Sequence, residues 1–281
     1  MSPRPKTVTG LRTEPGLATT TLRWDSLGFD PLIDHYRVYA VQGEDAPSVP
    51  EESSLLAKTV YPRLVHQDLD PAGETWTYTA VAVSDAGMRS DASAPVTGTS
   101  QASVTATGTP VAVIGAFDGR TLEHRFAPSS YSSIPAAYPE AVIEYRDGED
   151  SPETAWPFLL PGPGDAWAGR TAYRARWAFS LESASAADLD LAVWLVDTTR
   201  LGGILRVSAN GRQVTDLTLP PGATRGSREG DATVPGSTLR RTYFELAVPA
   251  TLLQEGENMI EFELAEGGWV AWDAVGLFAR S

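Results

Sequence analysis

The stretch Tyr173-Arg-Ala-Arg-Trp-Ala-Phe-Ser-Leu181 alternates apolar and outward-type positions along its length. Side chains two residues apart lie on the same face of a β-strand, so this stretch has one apolar face, made by Tyr173, Ala175, Trp177, Phe179 and Leu181. The run from Leu189 to Leu195 repeats the pattern. We expect both runs to be strands that turn one face toward a shared core.

Further strands are predicted on both sides of this pair. The Asn210-Gly211 dipeptide is typical of a two-residue hairpin turn, here between runs at 204–209 and 212–219. Alternating runs continue at 242–248, 260–264 and 269–278. At least seven strands of similar length predict a two-sheet jelly roll.

The first part of the chain carries a different set of alternating runs, at 21–24, 34–39 and 76–83. Together with Leu69 and Pro71, their order resembles a fibronectin type III domain across residues 6–98. Trp76 stands where that family usually has its corner tyrosine. An indole has no hydroxyl, so we expect the corner hydrogen bond to be missing or made differently.

A segment of small residues separates the two parts, from Ala94-Pro95 to Thr109-Pro110. We therefore predict an all-β chain with a fibronectin type III sandwich at 1–98 and a linker at 99–109. The remainder, 110–281, is predicted to be a β-sandwich jelly roll of the galactose-binding-like type.

The second part also resembles a known family, through motifs in a shared order: Ile114-Gly-Ala-Phe-Asp-Gly119, Trp156-Pro157, Val207-Ser-Ala-Asn-Gly211, Leu253 to Ile260, and Val270-Ala-Trp-Asp273. They look like the C-terminal carbohydrate-binding-like module of rhamnogalacturonan lyases, polysaccharide lyase family 4. In that family a catalytic β-sandwich comes first, then a fibronectin-like domain, then this jelly roll. The chain matches only the last two parts.

Composition narrows the possible partners. A net charge of -14 argues against nucleic acid and against an anionic membrane surface. The chain has no cysteine, which excludes disulfides and thiol chemistry, and no stretch suited to cross a bilayer. The N-terminus lacks the apolar segment of a signal peptide, so an exported protein of bacterial type would be a mature form or a fragment.

The resemblance implies a secreted, non-catalytic carbohydrate-binding or accessory tail of a pectin-active enzyme. Its partner would be a plant cell-wall polysaccharide such as rhamnogalacturonan, or a catalytic domain, and we expect a monomer. Two alternatives remain: a purely structural module that stabilises a missing catalytic domain, and a polysaccharide lyase in its own right. The three histidines are too scattered to predict a triad or a ligand cluster: His35, His66 and His124.

Aromatic rings are the first candidates for sugar contact, because pyranose faces stack on them. Trp156 and Trp167 flank a Pro- and Gly-rich segment, where a ring reaches a ligand or plugs one end of the sandwich. Trp194 is predicted on the face opposite Leu191, where it is exposed, lies under a loop or lies at the inter-domain contact. For Trp269 the sequence leaves two roles open, a core residue or a ligand contact.

Basic residues are the second candidates. Arg174, Arg176 and Arg206 occupy outward positions, and Arg241 and Tyr243 lie on the outward face of another strand. If these strands are neighbours, they form a patch whose guanidinium groups suit galacturonate carboxylates. The alternative is ordinary solvated arginine paired with Asp and Glu.

No cofactor is required by the sequence. Jelly-roll carbohydrate modules often carry a structural Ca²⁺, and oxygen ligands for one would come from Asp118, Glu144 and Asp273. Their spacing does not resemble a calcium loop.

Overall fold

The computed structural model describes residues 4–27, 33–48, 51–183, 187–222 and 239–280. Strands form 51% of it and helices 8%, which confirms the predicted all-β class. The chain divides into two compact units, Met1–Ala106 and Thr107–Ser281. Between the predicted domains lies one short helix, α1 (Val104–Thr107). In the described ranges no helix has the length and apolarity needed to span a bilayer.

The first unit is a sandwich of two antiparallel sheets. One sheet has the order β1-β2-β5 and the other β4-β3-β6-β7. This three-plus-four arrangement is that of a fibronectin type III fold. The strands are β1 (Arg12–Gly16), β2 (Thr19–Arg23), β3 (Ile33–Gln42), β4 (Leu55–Thr59), β5 (Arg63–His66), β6 (Thr75–Ser84) and β7 (Val96–Thr99).

Trp24 and Tyr36 meet edge to face in the core of this unit, with ring centroids 5.3 Å apart. Trp76 packs edge to face on His66. Its indole nitrogen is buried and has no hydrogen-bond partner among the described residues. Trp76 therefore packs in the place of the corner tyrosine but does not make the corner hydrogen bond, as expected.

The second unit is also a sandwich, with two five-stranded sheets. We name them by their long strands. The β17 sheet has the order β10-β17-β12-β15, with β8 also paired to β17, and the β16 sheet has the order β14-β13-β16-β11-β9. The strands are β8 (Thr109–Gly115), β9 (Val142–Arg146), β10 (Leu159–Pro161), β11 (Arg174–Leu181), β12 (Leu189–Thr198), β13 (Gly203–Ala209), β14 (Arg212–Leu219), β15 (Thr242–Val248), β16 (Gly256–Gly267) and β17 (Trp269–Ala279). Two short helices, α2 (Ile134–Ala137) and α3 (Pro152–Ala155), lie in the connections before β9 and β10.

The core of this unit lies between the two sheets. Phe262 of the β16 sheet and Trp272 of the β17 sheet have ring centroids 5.5 Å apart. Trp156 follows α3 and packs against both rings, at 5.5 Å from Trp272 and 6.4 Å from Phe262. The alternation predicted for the strands thus places its apolar side chains in one continuous core.

The predicted hairpin is confirmed. β13 and β14 pair around Asn210 and Gly211, which both have positive φ angles, 49° and 76°. Two consecutive residues with positive φ are characteristic of a type I′ turn, whose twist matches that of the flanking strands.

Asn258 links the start of β16 to the β13–β14 hairpin through side-chain hydrogen bonds. Its side chain is 1% exposed. Its oxygen accepts from Gln254 N and from Asn210 Nδ2, both at 2.9 Å, and its amide donates to Gln254 O at 2.7 Å and Gly256 O at 3.0 Å. One buried amide therefore ties the start of β16 to the β13–β14 turn.

Replacing Asn258 by Ala should lower the free energy of unfolding of the second unit by about 2–4 kcal/mol, because several buried polar groups lose their partner. Urea unfolding measures this, with Gln213→Ala, an exposed residue of the neighbouring strand, as the control. A loss no larger than that of the control would contradict the role of Asn258.

Candidate functional site

Three of the four candidate tryptophans are buried. The exposed fractions are 1% for Trp156, 4% for Trp194 and 3% for Trp269. None of these rings offers a face to a ligand, so the prediction that they bind sugar is corrected. Trp156 takes the alternative role of a plug, against Trp272 and Phe262.

Trp194 does lie on the predicted face of β12, opposite Leu191, but other rings cover it. Phe117 contacts it edge to face at 5.2 Å, and Tyr243 of the adjacent strand β15 lies 4.2 Å away. Burial raises the pKa of Tyr243 to about 12. This outer face of the β17 sheet is therefore an aromatic cluster closed by Phe117, and Tyr243 is part of its packing.

The predicted arginine patch divides between the two sheets. Arg174, Arg176 and Arg206 lie on the β16 sheet, while Arg241 precedes β15 of the β17 sheet. Arg241 donates to the carbonyl oxygen of Gly119 at 3.1 Å. These strands are therefore not all neighbours, and the condition for a single arginine and tyrosine patch is not met.

Arg176 and Arg206 of the β16 sheet are neutralised by acids on neighbouring strands. Arg176 pairs with Glu261 at 2.7 Å. Arg206 pairs with Asp216 at 3.1 Å and with Glu263 at 3.2 Å, and these contacts raise the pKa of Arg206. Arg174 stands opposite Glu263 in the strand register. The alternative of ordinary paired arginines describes this surface.

Trp167 is the candidate that the structure leaves partly accessible. Its ring is half-buried and meets Tyr131 edge to face, with centroids 5.1 Å apart and planes at 71°. Tyr131 is 37% exposed. The two rings form an aromatic pair at the surface of the second unit, which we call the Trp167 platform.

A hydrogen-bonded turn holds this platform at one end of the sandwich. Gly164 N donates to Gly267 O at 2.7 Å, which anchors the turn to the connection between β16 and β17. Arg170 N donates to Asp165 O at 2.9 Å and closes the turn around Trp167. The backbone that carries the ring is thus fixed to the sheets rather than free.

Asp165 forms a hydrogen bond with the Trp167 side chain. Burial raises the pKa of Asp165, and a hydrogen bond from the Trp167 side chain acts in the opposite direction. The second carboxylate oxygen, Oδ2, is buried and has no hydrogen-bond partner among the described residues. Arg170, three residues after Trp167, is exposed.

The sequence pattern did not predict Tyr131, Asp165 or Arg170 as site residues. Tyr131 stands in a serine-rich run, 129–133, with no strand pattern to place it near Trp167. A large aromatic residue isolated among serines is a weak sign of an exposed ring.

A concave surface lies at the other end of β16, away from the Trp167 platform. A polar cavity of about 260 Å³ lies between Arg212 of the hairpin and the segment 251–254. Its lining includes Asn210 and Gln254 but no aromatic residue. Without a ring on which a pyranose stacks, it is a weaker carbohydrate site than the Trp167 platform.

The three predicted metal ligands do not come together. Glu144 lies exposed on β9, 3.8 Å from Arg176. Asp273 of β17 instead faces the turn that contains Asp118. Over the described ranges, no group of three or more His, Asp or Glu side chains is arranged to hold a metal ion.

Two five-stranded sheets around an aromatic core, with a ring-bearing turn at one end, define a β-sandwich of the carbohydrate-binding-module type. The model of the CBM-like domain of polysaccharide lyase family 4, domain III, matches residues 112–277. This is more than half of the chain, and the chain belongs to this family.

Solved structures show only distant likeness. A family 35 carbohydrate-binding module from an environmental isolate is 13% identical over 38% of this chain and 66% of its own, with a TM-score of 0.27. Pectate lyase PelI from Erwinia chrysanthemi, in complex with tetragalacturonic acid, is 14% identical over 37% of this chain and 30% of its own (TM-score 0.23). A human FNIII domain is 14% identical over 36% of this chain and 82% of its own (TM-score 0.29).

All three TM-scores are below 0.5, so no functional argument follows from these structures. The chain spans less than a third of the pectate lyase. No curated protein matches the chain.

Burial raises the pKa of Asp273 to about 7. Hydrogen bonds from the backbone N–H groups of Gly119 and Arg120 lower this pKa, but their effect is smaller than that of burial. Between pH 4 and pH 7 the folded protein therefore holds a proton that the unfolded chain has lost, so this residue makes stability fall as pH rises, by up to about 1.4 kcal/mol per pH unit. Asp273→Asn stays neutral. We expect its melting temperature to exceed that of the unmodified protein by a margin that grows from pH 4 to pH 7 and then levels off. A margin independent of pH in differential scanning calorimetry would contradict this.

Proposed function

We propose that this chain is a non-catalytic carbohydrate-binding accessory part of a secreted, pectin-active enzyme of the rhamnogalacturonan lyase type. Family membership supports the link to polysaccharide lyases. The Trp167 platform is the observation that carries the binding role, because it is a partly exposed ring on a fixed backbone. Rhamnogalacturonan or a related pectic chain is the proposed ligand, bound by a monomer.

The chemistry of the platform suits a sugar. An indole face packs against the C–H face of a pyranose, and a flanking polar side chain orients the hydroxyl groups. Tyr131 fixes the edge of the indole and Asp165 its nitrogen end, so little side-chain entropy is lost when a ligand binds. Arg170, on the same turn, adds a positive charge in a chain whose net charge is -14.

A lyase reaction requires a base beside the substrate. His124, the one histidine of the second unit, has a fully buried side chain, and burial lowers its pKa. It cannot reach a polysaccharide without opening the fold. This supports a non-catalytic role for the second unit.

The first unit is proposed to be a fibronectin type III spacer. Its two sheets have the three-plus-four strand order of that fold. Such a unit would set the distance between the carbohydrate-binding module and a catalytic domain in the parent enzyme.

Trp167→Ala should weaken binding to rhamnogalacturonan oligosaccharides about tenfold, since loss of a stacked ring costs about 1 kcal/mol or more. Isothermal titration calorimetry measures the affinity. The matched control is Tyr61→Ala, which removes a 71% exposed ring from the first unit. We expect that control to bind as the unmodified protein does.

Equal binding by Trp167→Ala and Tyr61→Ala would contradict the platform as the site. No binding by the unmodified protein at millimolar oligosaccharide would contradict the carbohydrate-binding role altogether. Release of unsaturated product from pectin, followed by ultraviolet absorbance, would contradict the non-catalytic role.

A further inference from the structure

The turn after β8, residues 115–124, is fastened to a single residue of the last strand. The Asp273 carboxylate oxygen Oδ1 accepts the N–H of Gly119 at 2.8 Å and that of Arg120 at 3.1 Å. The main-chain oxygen of Asp273 lies 2.8 Å from His124 Nε2, which donates to it. Asp273 therefore holds the middle of the turn with its side chain and the end of the turn with its backbone.

The two acids within this turn, Asp118 and Glu123, also accept hydrogen bonds from backbone N–H groups. Glu123 Oε1 accepts from Ala116 N at 2.9 Å, and Asp118 Oδ1 accepts from Arg120 N at 2.9 Å. Three carboxylates thus bind N–H groups of the turn itself. A cation site would require these carboxylates to converge on one point, and in the described ranges no such group of three is formed.

Two glycines make the close contacts possible. Gly115 has φ +83°, and a Cβ there would lie 2.9 Å from the His124 ring. Gly119 has φ +76°, and a Cβ there would lie 2.7 Å from the Arg241 guanidinium carbon. Both positions need a left-handed backbone, and at Gly115 the main-chain oxygen of Asp273, 2.7 Å from such a Cβ, leaves no room for a side chain.

The fastened turn also closes the aromatic cluster of the β17 sheet. Phe117 lies within it, 5.2 Å from Trp194 and 5.9 Å from Phe278. Arg241, which donates to Gly119 O, belongs to the segment that leads into β15. Release of the turn would uncover Trp194.

We propose that Asp273, His124, Asp118 and Glu123 form a metal-free clamp that holds this turn in place without a structural calcium ion. The clamp works through hydrogen bonds that backbone N–H groups donate to the side-chain oxygens of Asp273, Asp118 and Glu123. The second unit accordingly reaches its full stability without a divalent cation.

The unmodified chain, measured by scanning calorimetry at pH 7.5 in excess EDTA and in millimolar CaCl₂, should show melting temperatures of the second unit within about 1 °C of each other. A rise of about 5 °C or more with calcium, the order expected for a ligand at many times its Kd, would overturn the proposal. This comparison needs no variant and decides the question even if a variant fails to fold.

Variants test the clamp itself, in EDTA at the same pH. Asp273→Ala should lower the melting temperature by about 5–10 °C, because the buried N–H of Gly119 loses its acceptor and that of Arg120 keeps only Asp118. Asp273→Asn keeps the acceptor oxygen and should melt no lower than the unmodified protein. The control is Glu149→Ala, an exposed acid, which should leave the melting temperature unchanged.

Tryptophan fluorescence gives a second measurement. In Asp273→Ala, acrylamide should quench more of the emission than in Asp273→Asn, because release of Phe117 exposes Trp194. Equal melting temperatures and equal quenching for the two variants would overturn the clamp.

Discussion

The contact between the two sheets of the second unit, made by Trp156, Phe262 and Trp272, is the packing on which its other features depend. These three rings fill the space between the sheets with centroid distances of 5.5–6.4 Å. Large aromatic groups buried in this way contribute more apolar area than any aliphatic residue. Because Trp156 also begins the segment that leads to β10, the same contact fixes where the following turn emerges and hence where Trp167 lies.

This packing decides which tryptophan rings are buried and which stay partly exposed. A chain with many tryptophans invites the idea of several stacking sites, but burial of apolar area takes precedence over exposure of a ring. The core uses Trp156, Trp177, Trp269 and Trp272, and the outer face of the β17 sheet uses Trp194. Trp167 differs because it lies on a turn between strands, where its ring is only half-buried.

Strand positions could be predicted from the sequence, because alternation of side chains is a local property. The faces of Trp194, Arg176 and Arg206 were correctly assigned for that reason. Their surroundings could not be predicted, since these depend on which strands are neighbours and which loops fold over them. The strand order places acidic β16 between β13 and β11, which pairs the arginines, and the turn with Phe117 covers Trp194. The same limit applies to Glu144, whose strand lies in the other sheet from Asp273.

A backbone NMR titration with a rhamnogalacturonan oligosaccharide tests the central claim most directly, because it maps the binding surface without a mutation. The account predicts saturable shifts of the amide signals of residues 131 and 165–170, together with the indole N–H of Trp167. Amides of the β16 sheet around Arg176 and Arg206 should stay unchanged. Shifts centred on those arginines, with the Trp167 turn unaffected, would contradict the assignment of the site.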